Sequence, residues 1–271
     1  MGAGTTGGSS TAAVVTTVGA VVVAAAVLVT SLAVDRAADA VAPAVPGPPP
    51  DARAEPLRLP PDVVDPGGYT FVDTGPGGQP VRWDPCRPVH VVVRPDGEPQ
   101  GGRAALGAAL EEVGEAAGLV FVVDGETDER PDPARRLVDP RRYGERWSPV
   151  LVAWSDAGED PRLAEAAGLA GPAGYGEGSR RRWVSGSVVL DAPWFAENLP
   201  AELGRRRAEA VLVHELAHLV GLGHSSDPFS LMSPTYQSVY DLGTADRAGL
   251  ARLGDGPCEG DAGRRDGDAG T

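Results

Sequence analysis

Three of the four histidines in this chain, His214, His218 and His224, fall within eleven residues. They sit in the run His214-Glu215-Leu216-Ala217-His218-Leu219-Val220-Gly221-Leu222-Gly223-His224. Residues four apart lie one above the other on a helix, so the imidazoles at 214 and 218 can reach a single ion. An unbroken helix cannot bring a side chain from ten positions on to the same point. Gly221 is the residue type that ends a helix, because it takes positive φ without a steric clash, and a turn there returns His224. Three neutral imidazoles leave the fourth tetrahedral position of a zinc ion open to water, which marks a catalytic and not a closed structural site. Glu215 does not fit a ligand role in that geometry; beside the first ligand it can accept a proton from water, whose pKa zinc lowers to about 7. The expected chemistry is attack of that water on a carbonyl, with the developing oxyanion stabilised by the metal. Glu215 then hands its proton to the leaving amine. The bland alternative is an amphipathic helix with chance histidines. Against it, four positions and a glycine agree in a chain otherwise almost without histidine.

The elements that must position this run read as an α+β pattern. Val89 to Val93 is a buried-type strand, with His90 a core or edge-strand histidine. Leu106, Leu110, Val113 and Ala117 mark a helix over 103–117, with Gly118 as its stop. Further strands are expected at 119–123, 150–154 and 183–190, the last interrupted by Gly186. Residues 156–182, rich in glycine and charge, read as loop with a short helix, and the glycines of 171–178 as a mobile rim beside the cleft. A helix over about 201–220 carries the histidines, and a final helix over 245–253 follows an N-cap at Thr244. Arg180-Arg181-Arg182 and Arg205-Arg206-Arg207 read as solvated surface.

Composition sets the outer limits. At 271 residues and a net charge of −14, the chain lacks the basic face that a nucleic-acid partner requires. Every basic side chain is arginine, which reflects coding bias and not mechanism. Residues 12–34 carry no charge and suit a membrane span or a long signal sequence, so 1–40 is expected to be a signal peptide or membrane anchor. The remainder is then extracellular, secreted or tethered to the membrane. Residues 41–66 form a proline-rich linker, 67–258 the catalytic domain and 259–271 a disordered tail. Cys86 and Cys258 follow no metal-type spacing and are expected to form a disulfide, as suits an exported chain with two cysteines. A thiol cap on the metal is the alternative use of Cys86.

At the histidine run the sequence resembles the metzincin metalloproteases, whose signature is HExxHxxGxxH followed by a Met-turn. Ser230-Leu231-Met232-Ser233-Pro234 matches that turn, eight residues beyond His224. Within the clan it is most similar to the matrixin, matrix-metalloprotease-like branch: Ser225 follows the third histidine, Pro234 lies two past Met232 and Tyr236 four past it. The resemblance implies a zincin/metzincin-like domain with a twisted mixed sheet, an active-site helix and a C-terminal helix. It implies Met232 as an apolar floor beneath the ligands and Pro234, Thr235 and Tyr236 as the lining of a substrate pocket. It also implies a strand running antiparallel to bound peptide just upstream of the active-site helix, here assigned to 183–190.

The departures carry information too. The additional histidines and aspartate of a second, structural zinc are missing apart from His90. No segment maps onto the family's calcium loops, so calcium is unsupported, and the family's propeptide cysteine motif is absent. The reading is a monomeric zinc endopeptidase acting on protein or peptide. Two rivals are a zinc-binding surface module without activity and a zinc amidase acting on cell-wall material. The presence of Glu215 weighs against the first.

Overall fold

The computed structural model describes Met1, Pro46, residues 50–234 and residues 238–258. The candidate membrane segment, the tail beyond 258 and the pocket positions Thr235 and Tyr236 lie outside the described residues. Among those residues no helix is long and apolar enough to cross a membrane.

Five strands form one mixed sheet: β1 (Val89–Arg94), β2 (Phe121–Glu126), β3 (Val150–Ser155), β4 (Gly168–Tyr175) and β5 (Arg182–Asp191), in the order β2-β1-β3-β5-β4. The first three interfaces are parallel and β4 runs antiparallel to β5. The helices are α1 (Gly102–Ala117), the single turn α2 (Pro140–Tyr143), α3 (Ala192–Asn198), α4 (Glu202–Val220) and α5 (Thr244–Gly254). Parallel strands need crossovers, and α1 supplies the one between β1 and β2. The α+β expectation therefore holds, with the sheet mixed as anticipated.

Burial follows strand position. β3 is buried along its whole length, with helices on one face and Tyr143 of α2 packing on Leu151, Ala153 and Val92 at the other. β2, at one edge, leaves Val122 and Val123 exposed. On the helical face Leu106, Leu110 and Val113 of α1 meet Leu212, Leu216 and Leu219 of α4 in a single core. α1 ends at Gly118, whose φ of +68° is left-handed, and a Cβ there would lie 2.3 Å from the backbone nitrogen of Pro60. Both the conformation and the contact require glycine.

Four expectations change. Residues 168–175 are not loop but the edge strand β4. Its Gly-Leu-Ala-Gly-Pro-Ala-Gly-Tyr sequence has little strand propensity of its own, and pairing with the Val188-Val189-Leu190 run of β5 overrides that. β5 is continuous through Gly186, where the missing side chain makes room: a Cβ would stand 2.6 Å from Leu219 Cδ1 and 2.7 Å from the Gly171 carbonyl. The strand at 183–190 cannot be the one that receives a peptide, because both its edges are already paired, to β3 and β4. Finally, the N-cap of α5 is Gly243 and not Thr244, with the Gly243 N–H donating to Asp246 Oδ2 at 2.9 Å.

Part of the proline-rich stretch lies on the domain. The N–H groups of Arg53 and Leu57 donate to the carbonyls of Cys86 and Pro85 at 2.8 and 3.0 Å, and Asp51 pairs with His90 at 3.1 Å. Cys86 and Cys258 form a disulfide, joining the segment before β1 to the residues after α5. Cys86 therefore has no thiol with which to cap a metal.

Candidate metal centre

α4 carries His214 and His218 on successive turns, and the helix stops at Gly221, whose φ is +116°. Its N–H bonds back to the carbonyls of His218 and Ala217 at 3.0 and 3.2 Å. The chain then reverses and brings His224 to the other two. The Nε2 atom of His218 lies 3.0 Å from that of His214 and 3.2 Å from that of His224. The turn inferred from Gly221 is present, and the three ring nitrogens meet at one point.

The opposite ring nitrogens are tied to the backbone. His214 Nδ1 is 2.8 Å from the Leu231 carbonyl and His218 Nδ1 is 2.7 Å from the Leu222 carbonyl. A carbonyl can only accept, so each Nδ1 carries the proton and each Nε2 presents a lone pair. Burial keeps both rings neutral: it depresses the His214 pKa to about 4 and that of His218 well below its ordinary value. His224, half-buried, is lowered by the same cause. Two acceptor nitrogens 3.0 Å apart with no proton between them repel. A cation held by all three relieves that repulsion, so the donor set fits zinc.

Glu215 follows His214 directly on α4. Its side chain is buried against the start of β4, where a Cβ on Gly168 would fall 2.7 Å from Glu215 Cγ and 3.1 Å from Cδ. Burial raises its pKa to about 8. A glutamate in that state can both take up and release a proton near neutrality.

The return loop is fixed by a segment that sequence reasoning treated only as the start of the domain. Val72 N–H donates to the Gly221 carbonyl and Gly223 N–H to the Thr70 carbonyl, both at 2.8 Å. Thr70 Oγ1 donates to the His224 carbonyl at 2.6 Å, and Ser225 Oγ to the Gly68 carbonyl at 2.8 Å. Met232 is fully buried in the main core, and its carbonyl accepts from Ser225 N–H at 2.9 Å. Pro234 is exposed. Thr70, Gly168 and Asp246 carry no signal in the sequence, and Ser230 stands out there only as part of the Met-turn match. Each acts through contacts to residues distant in sequence, which leave no local pattern.

Residues 181–253, from β5 to α5, match the matrixin family. Matrix metalloproteinase-25 of Mus musculus is 50% identical over 50 residues, covering 16% of this chain and 8% of that protein. A probable matrix metalloproteinase, 095L, of Invertebrate iridescent virus 3 is 38% identical over 73 residues, 26% of this chain and 20% of the other. The chain thus spans a small fraction of the length of these relatives. The crystal structure of archaemetzincin from Methanopyrus kandleri superposes with a TM-score of 0.36 at 22% identity, covering 68% of this chain and 92% of that one.

Proposed function

We propose that this chain, whose metal-motif region is of metzincin type and matrixin-like, is a zinc-dependent endopeptidase with His214, His218 and His224 as metal ligands and Glu215 as general base. The observation that carries the reading is the meeting of three ring nitrogens at 3.0 and 3.2 Å, two of them on rings whose far nitrogens donate to carbonyls. When bound, zinc supplies Lewis acidity that makes water a nucleophile near neutral pH and polarises a carbonyl. Glu215 would accept a proton from water and hand it to the departing amide nitrogen. The burial that raises its pKa suits it to both steps.

Peptide orientation falls to β4. Its partner among the described strands is β5 alone, so its outer edge is open to strand addition by an extended substrate. Pro234, with Thr235 and Tyr236, stays the proposed lining for the residue after the scissile bond. The disulfide and the apolar run at 12–34 support a place outside the cytoplasm, secreted or tethered.

The test is zinc quantification together with cleavage of casein and of isolated cell-wall peptide, wild type beside Glu215→Gln. Loss of casein cleavage by a factor of about 10² to 10⁴ with zinc retained is expected. Wall-peptide cleavage without casein cleavage would favour the amidase reading. A Glu215→Gln protein as active as wild type would remove the base, and a wild type that binds zinc but cuts neither substrate would leave a binding module.

A further inference from the structure

Asp246 is the most deeply buried carboxylate of the described residues, at 0% exposure, and it lies on α5, away from the histidine run. Capping α5 needs one acceptor, for the N–H of Gly243 at 2.9 Å. The carboxylate accepts two further hydrogen bonds, both from the Met-turn. The Leu231 N–H donates to Oδ2 at 2.9 Å, and the Ser230 hydroxyl donates to Oδ1. Ser230 Oγ in turn accepts the N–H of Met232 at 2.9 Å. That N–H belongs to the same peptide plane as the Leu231 carbonyl, which takes the His214 Nδ1 proton at 2.8 Å. An unbroken chain of bonds therefore runs from Asp246 through Ser230 and the 231–232 peptide to the ring of His214.

We propose that Asp246 is a positioning residue for the metal centre, fixing the orientation and basicity of His214 through Ser230 and the Leu231–Met232 peptide. The inference rests on the zinc reading above, but it concerns how tightly and in what geometry the ion is held. A buried anion at the far end of the chain polarises each bond along it and so enriches the His214 Nε2 lone pair. Groups that orient a histidine ligand in this way commonly change metal affinity by about 10- to 100-fold when removed.

The experiment measures the zinc dissociation constant by chelator competition, and the visible spectrum of the Co(II)-loaded full chain, for wild type, Asp246→Ala, Asp246→Asn and Ser230→Ala. Circular dichroism and thermal melting confirm folding of each variant. Asp246→Ala is expected to weaken zinc binding at least about tenfold and to shift the Co(II) bands. Asp246→Asn keeps the shape and an acceptor for Leu231 and Gly243 but removes the negative charge, and should recover the Co(II) geometry while restoring only part of the affinity. Ser230→Ala breaks the chain without touching the carboxylate and should fall between wild type and Asp246→Ala. Folded variants with wild-type affinity and spectrum, only less stable, would overturn the proposal and leave Asp246 a structural cap. Where Asp246→Ala does not fold, Ser230→Ala decides: reduced affinity supports the proposal and wild-type affinity overturns it. A wild type that binds no zinc would instead bring down the metal reading itself.

Discussion

The Thr70 hydroxyl donates to the backbone carbonyl of His224 at 2.6 Å, across 154 positions of sequence. The third histidine is off the helix and owes its place to what grips its backbone. Thr70→Val keeps the volume and loses the bond. We expect zinc affinity to fall roughly fivefold, for about 1 kcal/mol of hydrogen bonding lost, read by chelator competition. Unchanged affinity would mean that Gly223 and Ser225 hold the loop by themselves.

Gly168 gives Glu215 its space. In Gly168→Ala the new methyl lies 2.7 Å from Glu215 Cγ, so either the side chain or β4 must move. Peptidase kcat should drop by about 10²-fold while zinc content stays at wild-type level, since a displacement near 1 Å can cost that much. A fully active Gly168→Ala enzyme would show that Glu215 tolerates the shift.

Arg94 is buried at the end of β1 and pairs with Glu159 and Asp96. Burial pushes the Glu159 carboxyl upward, but Arg94 and the Ser155 hydroxyl outweigh it, and the group sits below its ordinary value. A carboxyl whose pKa is lower folded than unfolded stabilises the fold above its unfolded pKa, and that contribution disappears as pH falls through the folded value. Glu159→Gln should therefore lose about 1–3 kcal/mol of stability at pH 7. Urea unfolding at falling pH should show the gap from wild type closing through the acid range. A gap independent of pH would assign the loss to packing.

The disulfide spans 172 residues of sequence. Replacing both cysteines by serine should cost about 2–5 kcal/mol, seen as a lower melting temperature. Its sulfurs take no part in the histidine cluster, so the zinc affinity of the folded double variant should match wild type. A large loss of affinity would link the chain ends to the metal in a way the bonding pattern does not.

The metal run was legible because its chemistry is local. Two histidines a turn apart and a helix-ending glycine follow from helical geometry, and α4, Gly221 and His224 all stand as that geometry requires. The apolar strands β1 and β3 and the helix α1 were equally plain from their side chains. What escaped was whatever depends on a partner elsewhere. β4 has almost no strand character until β5 is beside it, and misreading it put the open edge one strand too far inward. Asp246 reads as an ordinary acid in the first turn of a helix; only folding brings the Met-turn onto it.

The three histidines crowd into eleven residues, but the groups that hold them come from residues 70, 230–231 and 246, on separate parts of the chain. A synthetic peptide copying 202–225 would contain all three histidines and should behave as a poor chelator. Loading with metal is in that sense a certificate of completed folding, issued only when distant segments have arrived.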